Sequence, residues 1–237
     1  MPLQNGSDYL PKHSTTYSFI SPLKLDLTGK TVFITGASKG IGSALALSYA
    51  KAGASTIGLG ARSPLTEFPR ILRSAAMHAG RSIEPRVFVY QMDVTDASSV
   101  ENAAKRFTQD AETHLDILVN NAGYLSWNTI TDSDPADWWM NYEVNVKGVY
   151  LCTKYFLPIM LHHPNSLKTV VNVSSVGAHN IAAGGSGYQS SKLAVCRLTE
   201  FIGVEYAEQG VLAYSVHPGS VPTQMGSILT KLRGLSN

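Results

Sequence analysis

The chain has 237 residues, 44% hydrophobic and 15% charged, which suits one α/β domain with a sizeable core. Nineteen basic against 17 acidic residues leave a net charge of +2, too mild to imply nucleic acid or a membrane surface as a partner. The two cysteines, Cys152 and Cys196, lie far apart without metal-ligand spacing, so no metal site is expected and both read as free thiols in a reducing compartment. No run reaches the roughly eighteen apolar residues of a membrane span. Residues 1–28 lack the basic-then-apolar order of a secretory signal and read as an N-terminal arm, with the cytoplasm as the default location.

In chain order, "KTVFITGA" (30–37) is apolar and β-branched and predicts a first strand ending at Gly36. A helical pattern runs over 41–52, a second strand over 54–61, and a helix over 64–80 with Pro69 in an early turn. A strand at 86–94, a helix at 97–111 and a strand at 115–123 follow. A long helical pattern spans about 135–163, bent or ended near Pro158. The rest reads as a strand at 167–175, a helix at 187–209 and a strand at 211–219. Near-continuously apolar strands separated by helices argue for a parallel sheet covered on both faces. Right-handed crossovers then make it doubly wound, a Rossmann-type fold, with residues 29–237 as a single domain.

Chemistry gathers at the carboxyl ends of these strands. "TGASKGIG" (35–42) joins the first strand to the first helix. Gly36, Gly40 and Gly42 would let the chain turn tightly and let a pyrophosphate approach the helix N-terminus; the plainer alternative is a glycine-rich turn. The second strand ends in "GARSP", with no acid to bind a ribose 2′-hydroxyl. Arg62 there, with Lys39 in the glycine turn, suits a 2′-phosphate, so NADP(H) is expected over NAD(H); otherwise both are ordinary surface charges. Asp93 could accept from an adenine amino group or cap the helix starting near Thr95. "NNAG" (120–123) ends the fourth strand as a ligand-edge segment or a polar turn. In "SGYQSSKLA" (186–194), Tyr188 and Lys192 lie one helical turn apart on the same face. A neighbouring ammonium favours a phenolate, which would bring the tyrosine pKa down from about 10 towards neutrality.

Together these strings resemble the short-chain dehydrogenase/reductase family, in its compact single-domain form and with a loose similarity to filamentous-fungal members. The resemblance runs from about Leu25 to Thr223 and rests on "TGASKGIG", Asp93-Val94, "NNAG", "NVKG" (145–148), "SS" (174–175), "YQSSK" (188–192) and "PGSVPT" (218–223). It implies that Tyr188 is the catalytic acid/base and that Lys192 assists it and holds the nicotinamide ribose. Ser175, thirteen positions before Tyr188, would bind the substrate oxygen, and Asn145 would hold a water leading from Lys192 to solvent. It also assigns the dinucleotide to Gly36, Ser38, Lys39, Gly40, Ile41, Gly42, Arg62, Asp93, Val94, Asn121, Ala122 and Gly123, and its nicotinamide end to Pro218, Gly219, Val221 and Thr223. The implied reaction is reversible reduction of a small-molecule carbonyl to an alcohol with NADPH.

Two alternatives stay open: a redox-silent or truncated, inactive dinucleotide-binding relative, and an isomerase, epimerase or dehydratase on the same scaffold. No β-rich run follows Thr223, so a six-stranded sheet without the family's usual last strand is expected, with 211–217 as an edge. A homodimer or homotetramer fits the family. The small residues between Ser175 and Tyr188 leave room for a bulky polycyclic ketone as well as for a simple one. Trp127, Trp138 and Trp139 would line that site or belong to core or interface.

Overall fold

The computed structural model describes residues 17–111, 114–219, 221 and 223–225. Six strands form one sheet: β1 (Thr31–Thr35), β2 (Thr56–Ala61), β3 (Arg86–Gln91), β4 (Ile117–Asn120), β5 (Thr169–Val173) and β6 (Leu212–Val216). Their order is β3-β2-β1-β4-β5-β6, and every pairing is parallel. The order reverses between β1 and β4, so the crevice that such folds use for ligands opens at the carboxyl ends of those two strands.

The helices are α1 (Gly40–Lys51), α2 (Phe68–His78), α3 (Ala97–Ala111), α4 (Pro135–Tyr142), α5 (Gly148–Leu161) and α6 (Ser186–Tyr206). They cover both faces and divide the core in two. One layer is aromatic: Phe33 lies at the centre, with ring centroids 5.2 Å from Phe107 and 4.1 Å from Phe156. The other is aliphatic and small, built from Val32, Ile34, Ile57 and Leu59 against Ala46, Ala50 and Leu72. Alternation along β1 sends Phe33 one way and Val32 and Ile34 the other, so each layer draws on the same strand.

Three helical expectations change. Helix α2 starts at Phe68 rather than 64, because Pro69 fits the first helical turn, where its missing N–H is not needed. Pro158 does not end α5: it sits inside the helix, and the His162 N–H still donates to its carbonyl at 3.1 Å. The single helix expected over 135–163 is two helices joined by a π-helical turn, Glu143–Lys147.

Of the N-terminal arm, residues 17–28 are described. Arg81 fastens them to the domain, its guanidinium donating to the carbonyls of Pro22 (3.0 Å), Leu25 (2.7 Å) and Lys51 (2.7 Å). No helix among the described residues is long and apolar enough to cross a membrane.

Candidate active site

The glycine turn leaves β1 at Thr35 and enters α1 at Gly40. Gly36 (φ 65°) and Gly40 (φ 59°) occupy the left-handed region that residues with a Cβ avoid. A Cβ on Gly42 would lie 2.3 Å from the Gly36 carbonyl oxygen, so the turn closes on itself too tightly for any side chain. Ser38 and Lys39 are exposed, and Ile41 is half-buried. Lys39 Nζ donates to Gln224 Oε1 at 2.5 Å.

"NNAG" is wired to this turn. The N–H groups of Asn121 and Ala122 both donate to Thr35 Oγ1 at 3.0 Å. The Asn121 side-chain amide donates to the carbonyls of Thr35 (2.9 Å) and Gly36 (3.2 Å). A Cβ on Gly36 would meet Ala122 Cα at 2.8 Å. The segment after β6 folds back to the same place, for a Cβ on Gly40 would lie 3.3 Å from Thr223 Cγ2. Within that segment the Thr223 N–H donates to the Val221 carbonyl and the Val221 N–H to that of Gly219, just after Pro218.

Arg62 follows β2 directly, exposed and without a hydrogen bond or ion pair among the described residues. Asp93 Oδ1 accepts from Thr95 N (2.9 Å) and Oγ1 (2.8 Å), which closes a local turn. Of the two readings of Asp93, the helix cap belongs instead to Asp96, whose Oδ1 accepts from Ser98 N just inside α3. Val94 is buried against Gly148, whose added Cβ would come within 2.9 Å of it.

The second half of the site hangs on α6. Tyr188 and Lys192 are 8% and 4% exposed, and Lys192 Nζ lies 5.8 Å from the tyrosine ring centroid. Ser175, just past β5 and half-buried, lies beside the Tyr188 phenol. Its Oγ accepts from Gly177 N at 3.0 Å. Burial pushes the phenol above its ordinary value of 10, and the Ser175 hydroxyl opposes this. Lys192 therefore does not bring the phenol down as the helical spacing predicts. The ammonium donates to the Val173 carbonyl at 2.8 Å, and its own burial lowers its pKa to about 8.

Asn145 lies in the π-helical turn with no exposed surface. Its Oδ1 accepts from Tyr124 N at 2.8 Å, and its Nδ2 donates to Tyr124 O (3.0 Å) and Ser191 Oγ (2.9 Å). Ser191 Oγ in turn donates to the Tyr188 carbonyl at 2.7 Å. This buried chain ties the β4 loop to α6. A Cβ on Gly123 would lie 3.5 Å from Asn145 Oδ1 and 3.8 Å from Lys192 Nζ, so all three groups converge. Sequence reasoning passed over Ser191 and Thr35, and placed Tyr124 only as a residue following the NNAG turn. Ser191 had a signal: it stands three residues after Tyr188, on the same helical face.

The two halves meet at the carboxyl edge of β1, β4 and β5: a glycine turn opening a helix, and beside it a buried Tyr188-Lys192 pair with half-buried Ser175. The short chain dehydrogenase family profile matches residues 30–232. The short chain dehydrogenase mpl6 of the filamentous fungus Monascus purpureus is 46% identical over 230 residues, 96% of this chain and 77% of that protein. The alcohol dehydrogenase of Thermococcus sibiricus, solved with 5-hydroxy-NADP, superposes with a TM-score of 0.72 at 29% identity over 83% of this chain and 79% of that one. An NAD⁺-bound xylitol dehydrogenase superposes with a TM-score of 0.76 at 25% identity over 87% of this chain and 76% of that one. The chain belongs to the short-chain dehydrogenase/reductase family.

Proposed function

We propose that this protein is an NADP(H)-dependent oxidoreductase interconverting a ketone and a secondary alcohol, with Tyr188 as its acid/base. The observation that carries the reading is the buried Tyr188-Lys192 pair, with half-buried Ser175 beside the phenol, at the same sheet edge as the glycine turn. The dinucleotide, when bound, supplies or takes up the hydride. The free α1 N-terminus and the turn formed by Gly36, Gly40 and Gly42 fit its pyrophosphate. Exposed Arg62 and Lys39, with no acid after β2, favour a 2′-phosphate.

A phenol protonated at neutral pH can donate its proton when a carbonyl is reduced, and its phenolate can take one up in the reverse reaction. Ser175 Oγ and Tyr188 Oη would both hydrogen-bond the carbonyl oxygen, and Tyr188 would release its proton to that oxygen as charge develops there. The Lys192 ammonium, held by Val173 O, stabilises the phenolate that remains. Asn145 keeps the β4 loop and α6 in register around this exchange.

The test is NADPH consumption against a panel of ketones and quinones, with NADH as control, in wild type, Tyr188→Phe and Arg62→Ala. Turnover should fall at least 100-fold in Tyr188→Phe. The preference for NADPH over NADH should narrow by about 10-fold or more in Arg62→Ala. Tight NADPH binding without turnover on any carbonyl would sink the redox reading.

A further inference from the structure

Tyr188 stands two residues into α6, after Ser186 and Gly187, and helix α4 rests on this first turn. A Cβ on Gly187 would lie 2.8 Å from Asn141 Nδ2, 3.1 Å from Trp138 Cδ1 and 3.2 Å from Trp138 Nε1. The indole N–H of Trp138 donates to Ser186 Oγ at 3.0 Å. Neither neighbour is free to step back. Asn141 is fully buried, and its amide nitrogen donates to Ser126 Oγ (2.7 Å) and Trp138 O (3.0 Å) while its oxygen accepts from Ser126 N (3.3 Å). Glycine is a poor helix residue, about 1 kcal/mol worse than alanine, so local helix stability does not account for it here. Close approach of α4 does.

We propose that Trp138 and Asn141 of α4, closing on Gly187, form the seat that positions Tyr188, and so act as positioning residues for the proton transfer. The proposal rests on the oxidoreductase reading for its kinetic consequence. In Gly187→Ala the added methyl meets a pinned amide, so the first turn of α6 must move and carry Tyr188 with it. Displacement of a reacting group by about 1 Å costs up to 100-fold in rate. The pyrophosphate turn is built from other elements and is not disturbed.

The experiment compares wild type, Gly187→Ala, Trp138→Phe, Gly187→Ala/Asn141→Ala and Tyr188→Phe. It measures kcat and KM for the carbonyl, NADPH affinity, melting temperature and the 13Cζ NMR signal of Tyr188, assigned by its loss in Tyr188→Phe. Gly187→Ala should keep its NADPH affinity, melt at most a few degrees lower, lose at least 10-fold in kcat and shift the Tyr188 signal. The added Asn141→Ala should restore part of that kcat, and Trp138→Phe should lower kcat a few-fold with NADPH affinity unchanged. An unmoved Tyr188 signal with wild-type kcat in Gly187→Ala overturns the proposal. So does a kcat loss matched by equal losses of NADPH affinity and melting temperature. Should wild type turn over no carbonyl, the oxidoreductase reading fails, while the NMR signal still decides whether the seat sets Tyr188.

Discussion

Lys192 keeps a positive charge in a place 4% exposed, with the Val173 carbonyl as its hydrogen-bond acceptor. Burial of an ammonium disfavours its charged form, hence a pKa of about 8 against the ordinary 10.5. In the interval between these values the unfolded chain binds more protons than the folded one, so stability rises with pH there; below about 8 the full cost of the buried charge is present. Lys192→Met should therefore raise unfolding free energy at pH 7 by on the order of 1–2 kcal/mol. That advantage should shrink as pH climbs from 8 to 10.5 in denaturant titrations, while turnover falls at least 100-fold. A variant less stable than wild type at pH 7 would contradict this account. Tyr188 and Lys192 were legible because helical spacing alone puts them together. The direction of the tyrosine shift was not, because it depends on how deeply a folded core covers the phenol and on which carbonyl takes up the ammonium.

Turns and helix junctions decide where those side chains land. Gly42 has no room for a methyl group, since its Cβ would sit 2.3 Å from a carbonyl oxygen and 2.6 Å from Asn121 Nδ2. Gly42→Ala should cost roughly 2–4 kcal/mol and weaken NADPH binding at least 10-fold, read by thermal unfolding and by quenching of tryptophan fluorescence on titration. Retained affinity at unchanged stability would mean that the turn is looser than drawn. The strands could be read from sequence because buried parallel strands are apolar nearly throughout, as in "TVFIT" and "TVVNV". The π-helical turn could not. Its extra backbone residue per turn leaves no mark in hydrophobic periodicity, yet it sets the buried position from which Asn145 reaches both Tyr124 and Ser191. Ser191 itself was missed because "YQSSK" draws the eye to its two ends.

Across the whole sheet the two ends differ in kind. At the end away from the glycine turn, Asp116 is fully buried and joins the starts of three strands: Oδ2 accepts from Thr31 N (2.8 Å) and Oδ1 from Leu167 N (2.9 Å), leading into β1 and β5. Lys30 Nζ and His114 Nε2 lie 3.8 and 3.0 Å from its carboxylate. Asp116→Ala strands these donors, and should cost about 3–5 kcal/mol in denaturant unfolding with the NADPH affinity of the folded fraction unchanged. A small stability loss with a large affinity loss would mean that the two ends are coupled. The chemistry sits one strand length away, on loops that Asp116 does not touch. Such a division bears on how a lineage of enzymes can change. Substitutions in the loops after β4, β5 and β6 can be sampled for new substrates while the far edge, held by one carboxylate, absorbs their destabilising cost. In a library selected for altered substrate, accepted changes should crowd onto one rim of the sheet, with Asp116 and its partners left as they are.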